Sequence, residues 1–292
     1  MRLAHTTVLP FLACSPGATV SSSAWPMLDA GSQDVDLLST ESVDDGVIVE
    51  ASDDSVRSCV MPPLELTDPF VLVDLDGFGP AVVSVPVGAS QPRPVLVAAH
   101  GNFDTPEWQC EIWRGVVGDR AFVLCPRGSV RSDSPSRRDL RYEYPSNRRL
   151  EEEIDAAVVA LRSVFGGYVD DGVMVYAGFS LGAIMGVSVL SRRADRFPWA
   201  VLIEGGHREW SVSSRRAFAA AGGSRVLFAC GQWDCAVRAE ESSRLLAGVG
   251  VDTRVVYAKG GGHTYGGSVA EQIGMAFDWL VRGDGRWEGS NP

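Results

Sequence analysis

Beyond residue 62 the chain alternates short, nearly unbroken apolar runs with longer stretches whose apolar residues recur every three or four positions. The runs at 94–99, 121–125, 173–177, 199–204, 225–230 and 253–258 are dominated by Val, Leu, Ile and Ala. Strands covered on both faces need that composition. Two earlier runs, 70–74 and 81–87, flank Gly77, Gly79 and Pro80 and predict an opening hairpin. Amphipathic spacing predicts helices over 147–165, 181–193, 213–221, 239–249 and 268–282. The alternation predicts an α/β fold, with a mostly parallel eight-stranded sheet, right-handed crossovers and helices on both faces.

Residues 15–62 break the pattern: they are rich in Ser, Asp and Gly, hold few aromatics, and sustain neither period. Such a segment buries too little apolar surface to offset the entropy of ordering, so it is expected to be a solvated tether. Before it, Arg2 and the apolar run from Val8 to Ala13, ending at Cys14, resemble a short bacterial lipoprotein signal. The resemblance implies export and a membrane anchor at Cys14, with a cytoplasmic location if the signal is not real. The expected organisation is thus a signal over 1–14, a tether over 15–62, one domain over 63–283 and a tail over 284–292.

Charge narrows the partners. The 292-residue chain carries a net charge of −11. Nine acidic residues against Arg2 and Arg57 place most of that excess in the first sixty positions. No basic stripe with interleaved aromatics occurs, which argues against nucleic acid. No apolar run reaches the roughly 18 residues that a membrane-crossing helix needs. Of the six cysteines, Cys230 and Cys235 are close enough to bridge a loop, and Cys110 with Cys125 is a second option. The pairs lack the spacing of a zinc site, and no dinucleotide fingerprint or phosphate loop occurs, so neither metal nor cofactor is implied.

The chemistry lies at strand ends. The run at 173–177 leads into Gly178-Phe179-Ser180-Leu181-Gly182 and then a helix of small and apolar residues. A serine on such a strand-to-helix turn is thrust above the sheet, and the flanking glycines let the backbones approach. The strand ending at Cys230 is followed by Gly231-Gln232-Trp233-Asp234, and the last strand by Gly260-Gly261-Gly262-His263. From about residue 63 to 282 the chain resembles the α/β-hydrolase fold serine hydrolases, especially the compact esterase-like branch related to dienelactone hydrolases and feruloyl esterases. The order Ser180, Asp234, His263 is the one expected of that fold.

Acyl transfer assigns the roles. His263 would take the Ser180 proton and return it to the leaving group, and Asp234 would hold the imidazole's tautomer. Glu204 is a rival acid, because some relatives draw theirs from the preceding strand. The resemblance places one oxyanion donor at Leu181; the loop His100-Gly101-Asn102-Phe103-Asp104 supplies the second, at Asn102 or Phe103. His100 is expected to order that loop, and His207 to sit at the surface or pocket rim. About twenty residues separate the strand at 199–204 from the next, so no large lid fits. The arginines of 126–149 would face the ligand crevice or, more simply, form a solvated loop paired with its own acids. The expected activity is hydrolysis of a small-molecule carboxylic ester through an acyl-enzyme. The alternatives are a peptidase or amidase on the same fold and a noncatalytic surface lipoprotein using the fold to bind. Nothing in the sequence specifies an oligomeric state.

Overall fold

The computed structural model describes residues 61–288, so the signal and most of the tether lie outside the described residues, as do 289–292. Strands β1 (Phe70–Val73) and β2 (Ala81–Ser84) form the antiparallel hairpin expected of the opening runs. β3 (Val95–Ala99), β4 (Phe122–Cys125), β7 (Val175–Phe179), β8 (Trp199–Ile203), β9 (Arg225–Cys230) and β10 (Asp252–Tyr257) complete the sheet. The order across it is β1-β2-β4-β3-β7-β8-β9-β10, antiparallel only where β2 meets β1 and β4. Two short strands, β5 (Ser129–Val130) and β6 (Tyr142–Glu143), form a separate ribbon inside the arginine-rich connection.

Each central strand feeds two cores because successive side chains point to opposite faces. Along β3, Val95, Val97 and Ala99 join one apolar cluster, while Leu96 and Ala98 join the other. Helices α2 (Asn147–Phe165), α3 (Leu181–Arg193), α4 (Val212–Ala220) and α5 (Trp233–Ala247) contribute to the first cluster. Helices α1 (Pro106–Val117) and α6 (Ser268–Val281) contribute to the second. The helices therefore cover both faces, and nothing larger than α4 fills the connection between β8 and β9.

Three departures from the sequence reading have physical causes. Helix α1 was not expected: it follows the Gly-containing loop 100–104 directly, with Thr105 as its cap. Its start is nonetheless well formed, with Thr105 Oγ1 accepting from Trp108 N at 3.3 Å and Pro106 at the first helical position, where its missing N–H costs nothing. Helix α5 begins at Trp233 rather than at 239, which changes the fate of Asp234. Finally, the expected tail at 284–292 is packed where it is described. Trp287 is 2% exposed with its ring against Phe277, and Arg286 pairs with Asp284 and Asp170.

Candidate active site

All the candidate groups lie just past the carboxyl ends of parallel strands. β7 and β8 end in register, with Phe179 opposite Ile203. The next residues, Ser180 and Glu204, donate their N–H groups to Ile203 O and Ala229 O at 2.9 and 3.1 Å, so each is the first residue to leave the sheet. Among the described residues only three other than glycine have positive φ: Phe103 (62°), Ser180 (48°) and Glu204 (51°). All three are in this region. Such backbone is costly unless its surroundings impose it, and it gathers where side chains must be aimed. The turn at Ser180 is imposed by contact: a Cβ on Gly178 would lie 2.7 Å from Ala183 N, and one on Gly182 would lie 2.4 Å from Ala99 O.

Ser180 Oγ lies 3.0 Å from His263 Nε2, and His263 Nδ1 lies 3.2 Å from Glu204 Oε2. A carboxylate can only accept, so Nδ1 carries the proton and Nε2 presents its lone pair to the serine hydroxyl. The imidazole is about half exposed, whereas the Glu204 side chain is 1% exposed. A charge so buried needs hydrogen bonds. The other oxygen, Oε1, accepts from Gly231 N at 2.5 Å and Gln232 N at 2.9 Å.

Asp234 does not face His263, contrary to the sequence expectation. Because α5 starts at Trp233, Asp234 falls in the helix's first turn and points to solvent, with its side chain 60% exposed. There it pairs with Arg238 one turn on, at 3.0 Å, and with Arg208 at 3.2 Å. The Arg238 hydrogen bond holds its carboxyl below the usual carboxylate range. The rival, Glu204, occupies the position beside the imidazole.

The loop after β3 completes the site. Of the two oxyanion candidates there, Phe103 spends its N–H on Tyr142 O at 3.1 Å. Among the described residues no acceptor is found for the N–H of Asn102 or of Leu181. Asp104 was not singled out from the sequence. Its buried carboxylate accepts from Gly101 N at 3.3 Å, Thr105 N at 2.8 Å and the Tyr265 hydroxyl at 3.0 Å, tying this loop to the one that carries His263. Burial, reinforced by the Asp104 charge, pushes the Tyr265 phenol well above its ordinary value, so it stays a donor. The Phe179 ring lies between Tyr265 and His263, with centroids 4.7 and 5.0 Å away.

His100 orders the loop as expected. Its ring stacks on Tyr144, and its nitrogens lie 2.7 Å from Gly101 O and 2.8 Å from Arg127 O. Burial pushes its pKa down, against the pull of the two carbonyls. The neighbouring arginines are paired: Arg131 with Asp133 and Glu143, Arg141 with Asp139, Arg127 with Glu107. A recess of about 340 Å³ lined by Phe78, Arg149 and Glu153 contains none of the groups around Ser180. Cys110–Cys125 and Cys230–Cys235 are both disulfide-bonded, and no cysteine is free among the described residues. Glu204, Cys230 and Cys235 lie close together, but disulfide sulfurs offer no thiolate to a metal.

The sheet order, with Ser180 after β7, Glu204 after β8 and His263 after β10, is that of the α/β-hydrolase fold. Solved structures agree at low sequence identity. A carboxylesterase from Bacillus cereus superposes with a TM-score of 0.50 at 19% identity, over 68% of this chain and 93% of its own. A Klebsiella pneumoniae protein, itself only provisionally assigned as a dienelactone hydrolase, gives 0.53 at 15%, over 73% and 98%. Est1E from Butyrivibrio proteoclasticus gives 0.51 at 12%, over 73% and 99%. No protein-family profile matches the chain, and no curated protein matches it in sequence.

Proposed function

We propose that the protein is a serine hydrolase that cleaves carboxylic esters through an acyl-enzyme, with Ser180 as nucleophile, His263 as base and then acid, and Glu204 as the partner of the imidazole. The observation that carries this reading is the continuous relay from Glu204 Oε2 to His263 Nδ1 and from His263 Nε2 to Ser180 Oγ, at 3.2 and 3.0 Å, on a turn with strained backbone.

As Ser180 Oγ attacks the ester carbonyl, its proton passes to His263 Nε2, and the buried Glu204 carboxylate stabilises the imidazolium. The charge on the substrate oxygen is met by the Leu181 N–H, at the start of α3 where the helix dipole adds to it, and by the Asn102 N–H. Each such donor contributes about 3 to 4 kcal/mol. Collapse breaks the ester bond, the alkoxide leaves with the proton from His263, and water repeats the sequence to release the acid and restore Ser180. The half-exposed imidazole and the short β8–β9 connection favour a small ester reached without lid opening. The Cys110–Cys125 and Cys230–Cys235 bridges favour an oxidising compartment, in keeping with export and an anchor at Cys14.

A fluorescent alkylphosphonate tests the reading on the full chain. Labelling at Ser180 is expected, vanishing in Ser180→Ala, together with a fall in p-nitrophenyl ester turnover of about 10⁴- to 10⁶-fold. Folded wild-type protein that neither labels nor turns over esters would instead favour a binding role for the fold.

A further inference from the structure

The donors that hold Glu204 belong to a very short segment. Gly231 N and Gln232 N both donate to Glu204 Oε1. Gly231 O accepts in turn from Gly262 N at 3.2 Å, one residue before His263. The approach is tight: a Cβ on Gly231 would lie 2.3 Å from Gly262 O. One peptide turn therefore fixes the acid through its N–H groups and the histidine's loop through its carbonyl. That turn is the interior of a six-residue disulfide loop, because Cys230 ends β9 and Cys235 lies in the first turn of α5, and the two are joined. Both cysteines are buried, at 1% and 5% exposure.

We propose that the Cys230–Cys235 disulfide positions the Glu204–His263 pair, so that turnover at this site depends on the oxidation state of that bond. This rests on the hydrolase reading of the same site. In the oxidised protein the bond keeps the start of α5 against the end of β9, and both N–H groups stay aimed at one carboxylate oxygen. Reduction by a phosphine and water breaks the S–S bond, gives two thiols and converts the phosphine to its oxide. The turn is then held only by its hydrogen bonds, and Glu204 loses the fixed donors that hold it against His263 Nδ1. Misplacement of this order acts on the transition state more than on substrate binding, so the effect falls on kcat.

The test compares the full chain as oxidised wild type, as Cys230→Ala/Cys235→Ala and as Cys110→Ala/Cys125→Ala, using p-nitrophenyl acetate kinetics and the rate of phosphonate labelling at Ser180. Loss of the 230–235 bond should lower kcat and the labelling rate about 10- to 100-fold with KM nearly unchanged. Loss of the 110–125 bond should lower the Tm while leaving kcat of the folded protein within about twofold, since that bridge joins α1 to β4, neither of which carries Ser180, Glu204 or His263. If the 230–235 variant does not fold, phosphine-reduced and alkylated wild type takes its place, with reoxidation of an unalkylated sample expected to restore the rate. A kcat within twofold of wild type in both samples overturns the proposal, and so does unfolding of both, which would make the bond a general stabiliser. Absence of Ser180 labelling in the oxidised wild type sinks the hydrolase reading itself, and this proposal with it.

Discussion

At the scale of single residues, two carboxylates compete for one role and their surroundings separate them. Glu204 is buried with three donors converging on it, whereas Asp234 is exposed and shared between two arginines. Glu204→Gln keeps the shape but presents an amide where the imidazolium needs a negative charge, so kcat should fall by about 10³- to 10⁴-fold with the fold intact. Asp234→Asn removes only solvent-screened ion pairs and should leave kcat within about twofold. Steady-state kinetics of the two purified variants decide the matter, and the reverse ranking would return the acid to position 234. The sequence singles out both residues but expects Asp234 beside the imidazole, where the structure has Glu204. It offered an aspartate after a Gly-containing strand end and a histidine downstream. It gave no local sign that Trp233 would start a helix and turn Asp234 outward, nor that the N–H groups of Gly231 and Gln232 would require a buried carboxylate from the neighbouring strand. Asp104 went unnoticed for a related reason: its partners are backbone groups and a tyrosine 161 positions away.

Elements whose signal is local were the most legible. Helices α2 and α3 span the expected residues, and β9 begins and ends where its apolar run does, because burial on both faces leaves no freedom in composition. Helix α1 was hidden although its buried face, Pro106, Gln109, Cys110, Trp113 and Val117, recurs at helical spacing, because Gln109 and Cys110 dilute the apolar signal of that face. The β7–α3 junction gives the sharpest prediction at this scale. A Cβ added to Gly178 would lie 2.7 Å from the backbone of Gly182 and Ala183, and backbone cannot move aside as a flexible side chain can. Gly178→Ala should therefore destabilise by about 1 to 3 kcal/mol and displace Ser180, lowering phosphonate labelling as well as Tm. Gly274 is the contrast. It lies on the exposed side of α6 with nothing within 4 Å of an added Cβ, so Gly274→Ala should raise stability by about 0.4 to 1 kcal/mol without changing activity. Urea unfolding of both variants checks the pair, and equal effects would mean that the junction is looser than its contacts imply.

For the molecule as a whole, stability is linked to pH through buried titratable groups distant in sequence. Burial pushes the pKa values of His100 and His207 below the ordinary value near 6.5. Between the lowered folded values and 6.5 the unfolded chain binds more protons than the native one, so these histidines weaken the fold as pH falls below about 6.5. Glu153 acts in the opposite sense. Burial raises its carboxyl, against the pull of the Gly128 and Arg127 N–H groups, so the native state binds the extra proton. Its contribution grows as pH falls towards the unfolded carboxyl value, near 4.5. The two trends share the mildly acidic range, and a wild-type melting curve alone would show only their sum. Single variants separate them. His207→Gln should lose less Tm than wild type between pH 7.5 and 5.5, because one group that must charge on unfolding is gone. Glu153→Gln removes the opposing contribution and should lose more as the pH is taken on down towards 4.5. Thermal unfolding of the three proteins at matched ionic strength reads both effects. Parallel Tm-against-pH curves for wild type and His207→Gln would show that residue 207 gains its proton as easily folded as unfolded, and burial could not then be what sets its charge.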